Sequence, residues 1–332
     1  MNLGYISVQL FMPARISLAR MTFHLMLLKK LSVTFLIVSL MLGLTPPCLA
    51  QEIEPRRWSH LPIDTNFAGV GYYYTEADIY FDPALQIENA KMEMHTYAVK
   101  YLHTFELFQK SARIDFTQGF QEGRWEGLVA GVPSSIKRTG LSDTLMRLAI
   151  YLYGAPPLKG KNFTDYRSEA DIETIVGTAL VVHLPTGDYM DDKLINLGAN
   201  RFTFRPQLGM VHNRGKWSLE LTGAVWLYTD NDDFYNEYRL EQDPLFTLQT
   251  HLVYTFRPGL WLSASAGYAY GGESTISGEE KNDLKENLAW ALSLGIPVTR
   301  KVGVKIAYVG IDTQRFTGQD SDSFFVGCSF IW

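Results

Sequence analysis

Beyond residue 65 the chain alternates apolar and polar side chains in long runs, and no apolar stripe of 3.6-residue period persists along it. In 245–256, Phe246, Leu248, Leu252, Tyr254 and Phe256 share one face, while Thr247, Gln249, His251 and Thr255 share the other. Phe202, Phe204, Pro206, Leu208 and Met210 alternate in the same way with Arg201, Thr203, Arg205, Gln207 and Gly209. Such a period puts successive side chains on opposite faces of a strand. A soluble sandwich would alternate too, but its strands usually run about 5 or 6 residues, whereas a tilted membrane-crossing strand needs about 9 to 11. The runs here are long. They predict an all-β chain with strands at 66–75, 94–104, 111–120, 142–152, 171–184, 200–212, 216–229, 245–256, 260–271, 285–296, 301–311 and 322–332, about twelve in all.

In hydrocarbon every backbone N–H and C=O needs an internal partner, so these strands are expected to close into a transmembrane antiparallel β-barrel. The connections alternate roughly between long and short, the rhythm of long external loops and short periplasmic turns. Asn213-Arg214-Gly215 and Arg257-Pro258-Gly259 carry the glycine that a tight hairpin needs at positive φ. Segment 153–170 breaks the rhythm with Ala155-Pro156-Pro157, Phe163 and Tyr166. Either it folds partly into the barrel mouth, or the strand count changes there. The last strand ends with Phe330 and Trp332 on its apolar face, which looks like the terminal signal that outer-membrane proteins present to the barrel-assembly machinery.

Upstream, the apolar run 31–44 is short of the about 20 residues a spanning helix needs. Lys29 and Lys30 precede it and the small-residue stretch 45–50 follows, the three parts of a secretory signal peptide. The expected organisation is an upstream extension plus signal peptide over 1–50, cleaved after Ala50, then a periplasmic N-terminal segment over 51–65 and an outer-membrane barrel over 66–332. Translation is expected to start at Met21 or Met26. Cys48 leaves with the signal, so Cys328 is left without an internal disulfide partner. Residues 1–50 hold four basic and no acidic residues, so of 30 basic and 35 acidic residues the mature chain keeps 26 and 35. That negative balance argues against nucleic acid as a partner.

With apolar faces toward lipid, the opposite faces line the interior with Lys100, Arg113, Asp115, Arg147, Glu173, Arg201, Arg205, Glu220, His251 and Lys305. A narrow lumen favours pairing such charges in a mixed-sign network, which either braces the wall or forms a selective constriction. Trp226, Tyr228, Trp261 and Tyr151 fall on the same inward faces and offer stacking surface to aromatic solutes. A hairpin centred on Asn213 to Gly215 brings Arg205 diagonally toward Glu220 and leaves Arg201 to bond across the barrel or to the 185–199 loop, narrowing the external half of the pore. Asp188, Asp191 and Asp192, and Asp230, Asp232, Asp233, Glu237, Glu241 and Asp243, make two loops acidic. The run from Asp230 has Tyr235 where an EF-hand needs glycine, so no metal site is expected, nor any cofactor. Divalent ions bridging these loops to lipopolysaccharide are a hypothesis. A lipid-modifying enzyme would need a nucleophile beside a histidine at the lipid interface, and no Gly-x-Ser-x-Gly occurs. His95 and His103 read better as companions of an interfacial aromatic belt.

Several blocks, 139–143 (TGLSD), 184–189 (LPTGDY), 193–208 (KLINLGANRFTFRPQL), 229–234 (TDNDDF) and 254–261 (YTFRPGLW), together resemble a bacterial outer-membrane transporter family linked to the meta-pathway of phenol degradation. The resemblance covers about residues 60–332. It implies a channel for passive uptake of small hydrophobic, often aromatic, solutes, with outer-membrane lipid and lipopolysaccharide as surroundings. The alternative is a structural or adhesive barrel whose lumen stays closed, for which the proline-rich 153–170 is a candidate plug.

Overall fold

The computed structural model describes residues 53–81 and 86–332, so the expected signal peptide and cleavage site lie outside the described residues. In chain order the strands are β1 (Thr65–Tyr80), β2 (Ile87–Leu107), β3 (Lys110–Val129), β4 (Val132–Leu141), β5 (Thr144–Tyr153), β6 (Ile172–Leu184), β7 (Thr203–Arg214), β8 (Trp217–Tyr228), β9 (Asn231–Phe234), β10 (Tyr238–Gln242), β11 (Leu245–Arg257), β12 (Leu260–Gly271), β13 (Ser274–Ile276), β14 (Glu279–Glu280), β15 (Lys285–Pro297), β16 (Val302–Thr313) and β17 (Gly318–Ile331). Among the described residues one helix, α1 (Gly160–Glu169), lies between β5 and β6.

Each wall strand pairs antiparallel with its neighbours, and β1 pairs with β17 to close the ring. β4 and β5 form a single stave against β3, interrupted at Ser142 and Asp143, so the barrel has twelve staves. The turns are Gly215 and Gly259 hairpins with φ of +56° and +83° on one end, which also carries the start of β1 and the end of β17. This turn end is the periplasmic one in an outer-membrane barrel, and the long connections form the opposite, external end. Segment 153–170 leaves the count unchanged: its helix sits at the turn end, where Phe163 and Tyr166 flank His60 edge-on at 4.9 and 5.4 Å.

Val70, Val99, Leu208, Leu248, Leu252 and Leu292 stand exposed on the outer face, as a lipid-facing band requires. β1, β2 and β3 run well past the lengths read from alternation, and there the pattern inverts. Ala77, Met92, Met94 and Trp125 are buried inward, whereas Glu76, Asp78, Lys91, Glu93, Arg124 and Glu126 face out. The strands continue above the membrane, where water takes the place of lipid on the outside. The connection 185–202 folds inward at this end, packing Ile195 and Leu197 against those four inward residues. Leu194 meets Phe234, Leu240 and Ile276 of a small sheet ordered β14-β13-β10-β9.

The segment expected to precede the barrel in the periplasm instead enters it. Ile53, Arg57, Trp58, His60 and Ile63 are buried inside the wall, with Ile63 N–H bonded to the Leu158 carbonyl at 2.9 Å near the turn-end mouth. Its apolar side chains are buried in an interior that sequence position alone does not announce.

Candidate functional site

A single level of the wall explains how the interior accepts this segment. Tyr151, Gly177, Gly209, Thr222, Gln249, Gly267 and Ala289 are consecutive cross-strand partners from β5 to β15. All of them point inward, and the two adjacent glycines leave a flat floor between a phenol ring and a hydroxyl. The indole of Trp58 lies on that floor: a β-carbon on Gly177 would come within 2.8 Å of it, and one on Gly209 would overlap it. Tyr151 meets the ring edge-on at 6.4 Å, Arg147 covers its face at 4.8 Å, and the indole N–H donates to Thr222 Oγ1 at 2.8 Å. Farther along the row Ile53 packs on Ala289 and Ala291.

The inward charges form around this segment. Glu54 pairs with Arg57 at 3.3 Å and Lys100 at 3.4 Å. Glu220 accepts the backbone N–H of Arg56 with both oxygens, at 3.0 and 2.9 Å. Glu173 gathers Arg167, Asn213 at 2.9 Å and His60 at 3.7 Å. Asp115 lies between Arg113 at 3.5 Å and Arg147 at 3.6 Å. Each anion named from the sequence thus sits inside the lumen, and two of the three are engaged by residues of the N-terminal segment. Trp261 covers Gly295 and receives Arg56 over its ring at 5.6 Å, while Lys305 stands 5.5 Å from the Phe325 ring. His251 is hydrogen-bonded to Ser265 at 2.8 Å deep in the interior, away from the lipid interface where a lipid-modifying site would need such a pair. His95 is bonded to Tyr72 at 2.7 Å, and His103 joins Asn66 at 2.9 Å.

The expected approach of Arg205 to Glu220 does not occur. Strand β7 runs on through Arg214, and the turn uses Gly215 and Lys216, so Leu208 faces Gly223 and Glu220 faces Val211. Arg205 lies 4.2 Å over the Trp226 ring instead. Arg201 lies 4.6 Å over the Tyr228 ring and donates to Gln242 of β10.

Three of the sequence blocks meet at the break in the β4–β5 stave. Asp143 accepts the N–H of Gly187 and of Ala199, both at 2.9 Å. The Asp188 carboxylate accepts Leu141 N–H at 2.6 Å, while its own N–H bonds the Leu141 carbonyl at 2.8 Å. Asn196 holds the intervening turn through Met190 N–H and the Met190 and Lys193 carbonyls. Burial pushes the Tyr189 phenol upward, although Asn231 donates to it. Beyond, Arg239 is held charged by Asp230, Glu241 and Asp232, so part of the acidic loop carries its own cation. Among the described residues no three His, Cys, Asp or Glu side chains are grouped to hold a metal.

Trp58, Glu54, Arg57 and His60 escaped the sequence reading. Their signal was a pair of aromatic and basic residues in a stretch with no strand period, opposite two glycines at inward positions.

A search of curated proteins finds no match for the chain. Among solved structures it is similar to an outer membrane channel from Pseudomonas putida F1, at 22% identity and TM-score 0.70, over 85% of this chain and 100% of that one. The translocator domain of the autotransporter NalP from Neisseria meningitidis follows at 10% identity and TM-score 0.44, over 82% and 90%. A TodX mutant monoaromatic hydrocarbon channel matches at 8% identity and TM-score 0.43, over 82% and 91%. The first of these supports the twelve-stave outer-membrane barrel as the fold. The model of the family described as "Putative MetA-pathway of phenol degradation" matches residues 87–325, and the chain belongs to that family.

Proposed function

We propose that the protein is an outer-membrane channel for passive uptake of small hydrophobic compounds, aromatic ones among them, exported with a signal peptide cleaved after Ala50 and folded by the barrel-assembly machinery, with Phe330 and Trp332 as its terminal signal. The observation that carries this reading is the row from Tyr151 to Ala289, where the interior offers a flat, small-residue floor able to hold an aromatic ring out of water. Lys100, Arg113, Arg147 and Lys305 with Asp115 and Glu220 would then line the conduction path, with Trp226 and Trp261 as stacking surface. A specific observation favours the rival: residues 53–64 and the inward-folded 185–202 occupy the two ends of the lumen, as in a barrel that stays closed. Uptake of radiolabelled toluene by cells with an intact lipopolysaccharide leaflet separates the two. Faster accumulation in cells making the protein is expected of a channel, and rates equal to cells lacking it would leave the closed barrel.

A further inference from the structure

We infer that the niche now holding Trp58 is a binding subsite for a flat aromatic solute that carries one N–H or O–H donor, and that Trp58 fills it as a tethered stand-in. The inference rests on the channel reading above and adds the chemistry of what the lumen recognises. Three features make the niche a built site and more than a greasy gap. Gly177 and Gly209, directly paired, leave the space the ring fills, since a β-carbon on either would run into it. Thr222, the next partner in the row, presents its hydroxyl oxygen to the edge of that ring as an acceptor at 2.8 Å. Arg147, itself buried and 3.6 Å from Asp115, holds its guanidinium over the ring at 4.8 Å. A guanidinium held over a ring in this way attracts any aromatic face.

The chain that places Trp58 there also holds the wall through Ile53 and through the backbone of Arg56, so an incoming ring competes with one side chain of known shape. An indole solute reproduces the ring and its donor. 1-Methylindole has the same ring system without the donor and leaves the Thr222 oxygen unmatched, a loss worth about fivefold in affinity.

The test uses the exported protein, cleaved after Ala50 and so without Cys48, in lipid nanodiscs with Cys328→Ala, which removes the exposed native thiol, and Ile53→Cys, which places a thiol at the buried far end of the segment. Indole is expected to speed alkylation of that thiol by a maleimide at concentrations about fivefold below those 1-methylindole needs, and Thr222→Val should erase the difference. Ala289→Cys reports the same contact from the wall and serves if Ile53→Cys disturbs folding. Equal half-effects for the two probes, or no effect of either, would overturn the subsite. Uptake without any such discrimination would spare the channel reading and sink only this inference, whereas discrimination without uptake does the reverse.

Discussion

Trp58 is accommodated because two neighbouring strands each omit a side chain at the same level. Restoring one should therefore expel the ring. Gly209→Val is expected to raise the fraction of tryptophan fluorescence open to acrylamide, while Gly223→Val, whose β-carbon would meet nothing within 4 Å, should leave it unchanged. Arg201 and Arg205 differ in depth, since Arg201 reaches Gln242 at the external end and Arg205 is stacked on Trp226. Arg201→Ala is expected to raise conductance and shift ion selectivity in planar bilayers more than Arg205→Ala. Equal, negligible effects would make both side chains braces of the wall. Inward parity was legible for these residues because strand alternation has a period of two. Their partners were not, since a turn displaced from Asn213–Gly215 to Gly215–Lys216 re-pairs the hairpin: Glu220 faces Val211, and Arg205 finds an aromatic face.

The staves across the membrane were readable almost to the residue, as β11 and β12 illustrate, because lipid outside and polar atoms inside impose one clean alternation. β2 and β3 were read at half length because above the membrane the code reverses, with Met92, Met94 and Trp125 inward and charges outward. Nothing in 185–199 has a period at all; its shape comes from side chains capping backbone. Asp143→Ala removes two such caps at about 1 kcal/mol each and is expected to speed tryptic cleavage after the exposed Lys193 by roughly tenfold or more, with Asp143→Asn milder. A cleavage rate unchanged by Asp143→Ala would mean that Asp188 and Asn196 hold the loop without it.

For the whole molecule, the decisive fact is that the lumen is filled from within its own chain. Deleting residues 53–64 is expected to raise single-channel conductance severalfold, since Glu54, Arg57 and Trp58 leave the interior together while the wall's hydrogen-bonded ring persists. An unchanged conductance would put the limiting barrier at the 185–202 end. Neither outcome was foreseeable from the sequence, because an aperiodic stretch says nothing about which side of a wall it lies on. The overlong β1 to β4 carry a further meaning for the cell. From Tyr97 back to Ile87 the β2 stave rises about 30 Å along its axis, bearing Lys91 and Glu93 beside Glu76, Asp78, Arg124 and Lys137. With the long connections outside, this charge-chequered palisade makes one side of the mouth a polar rampart, wetted by water where the strands below it are wetted by lipid.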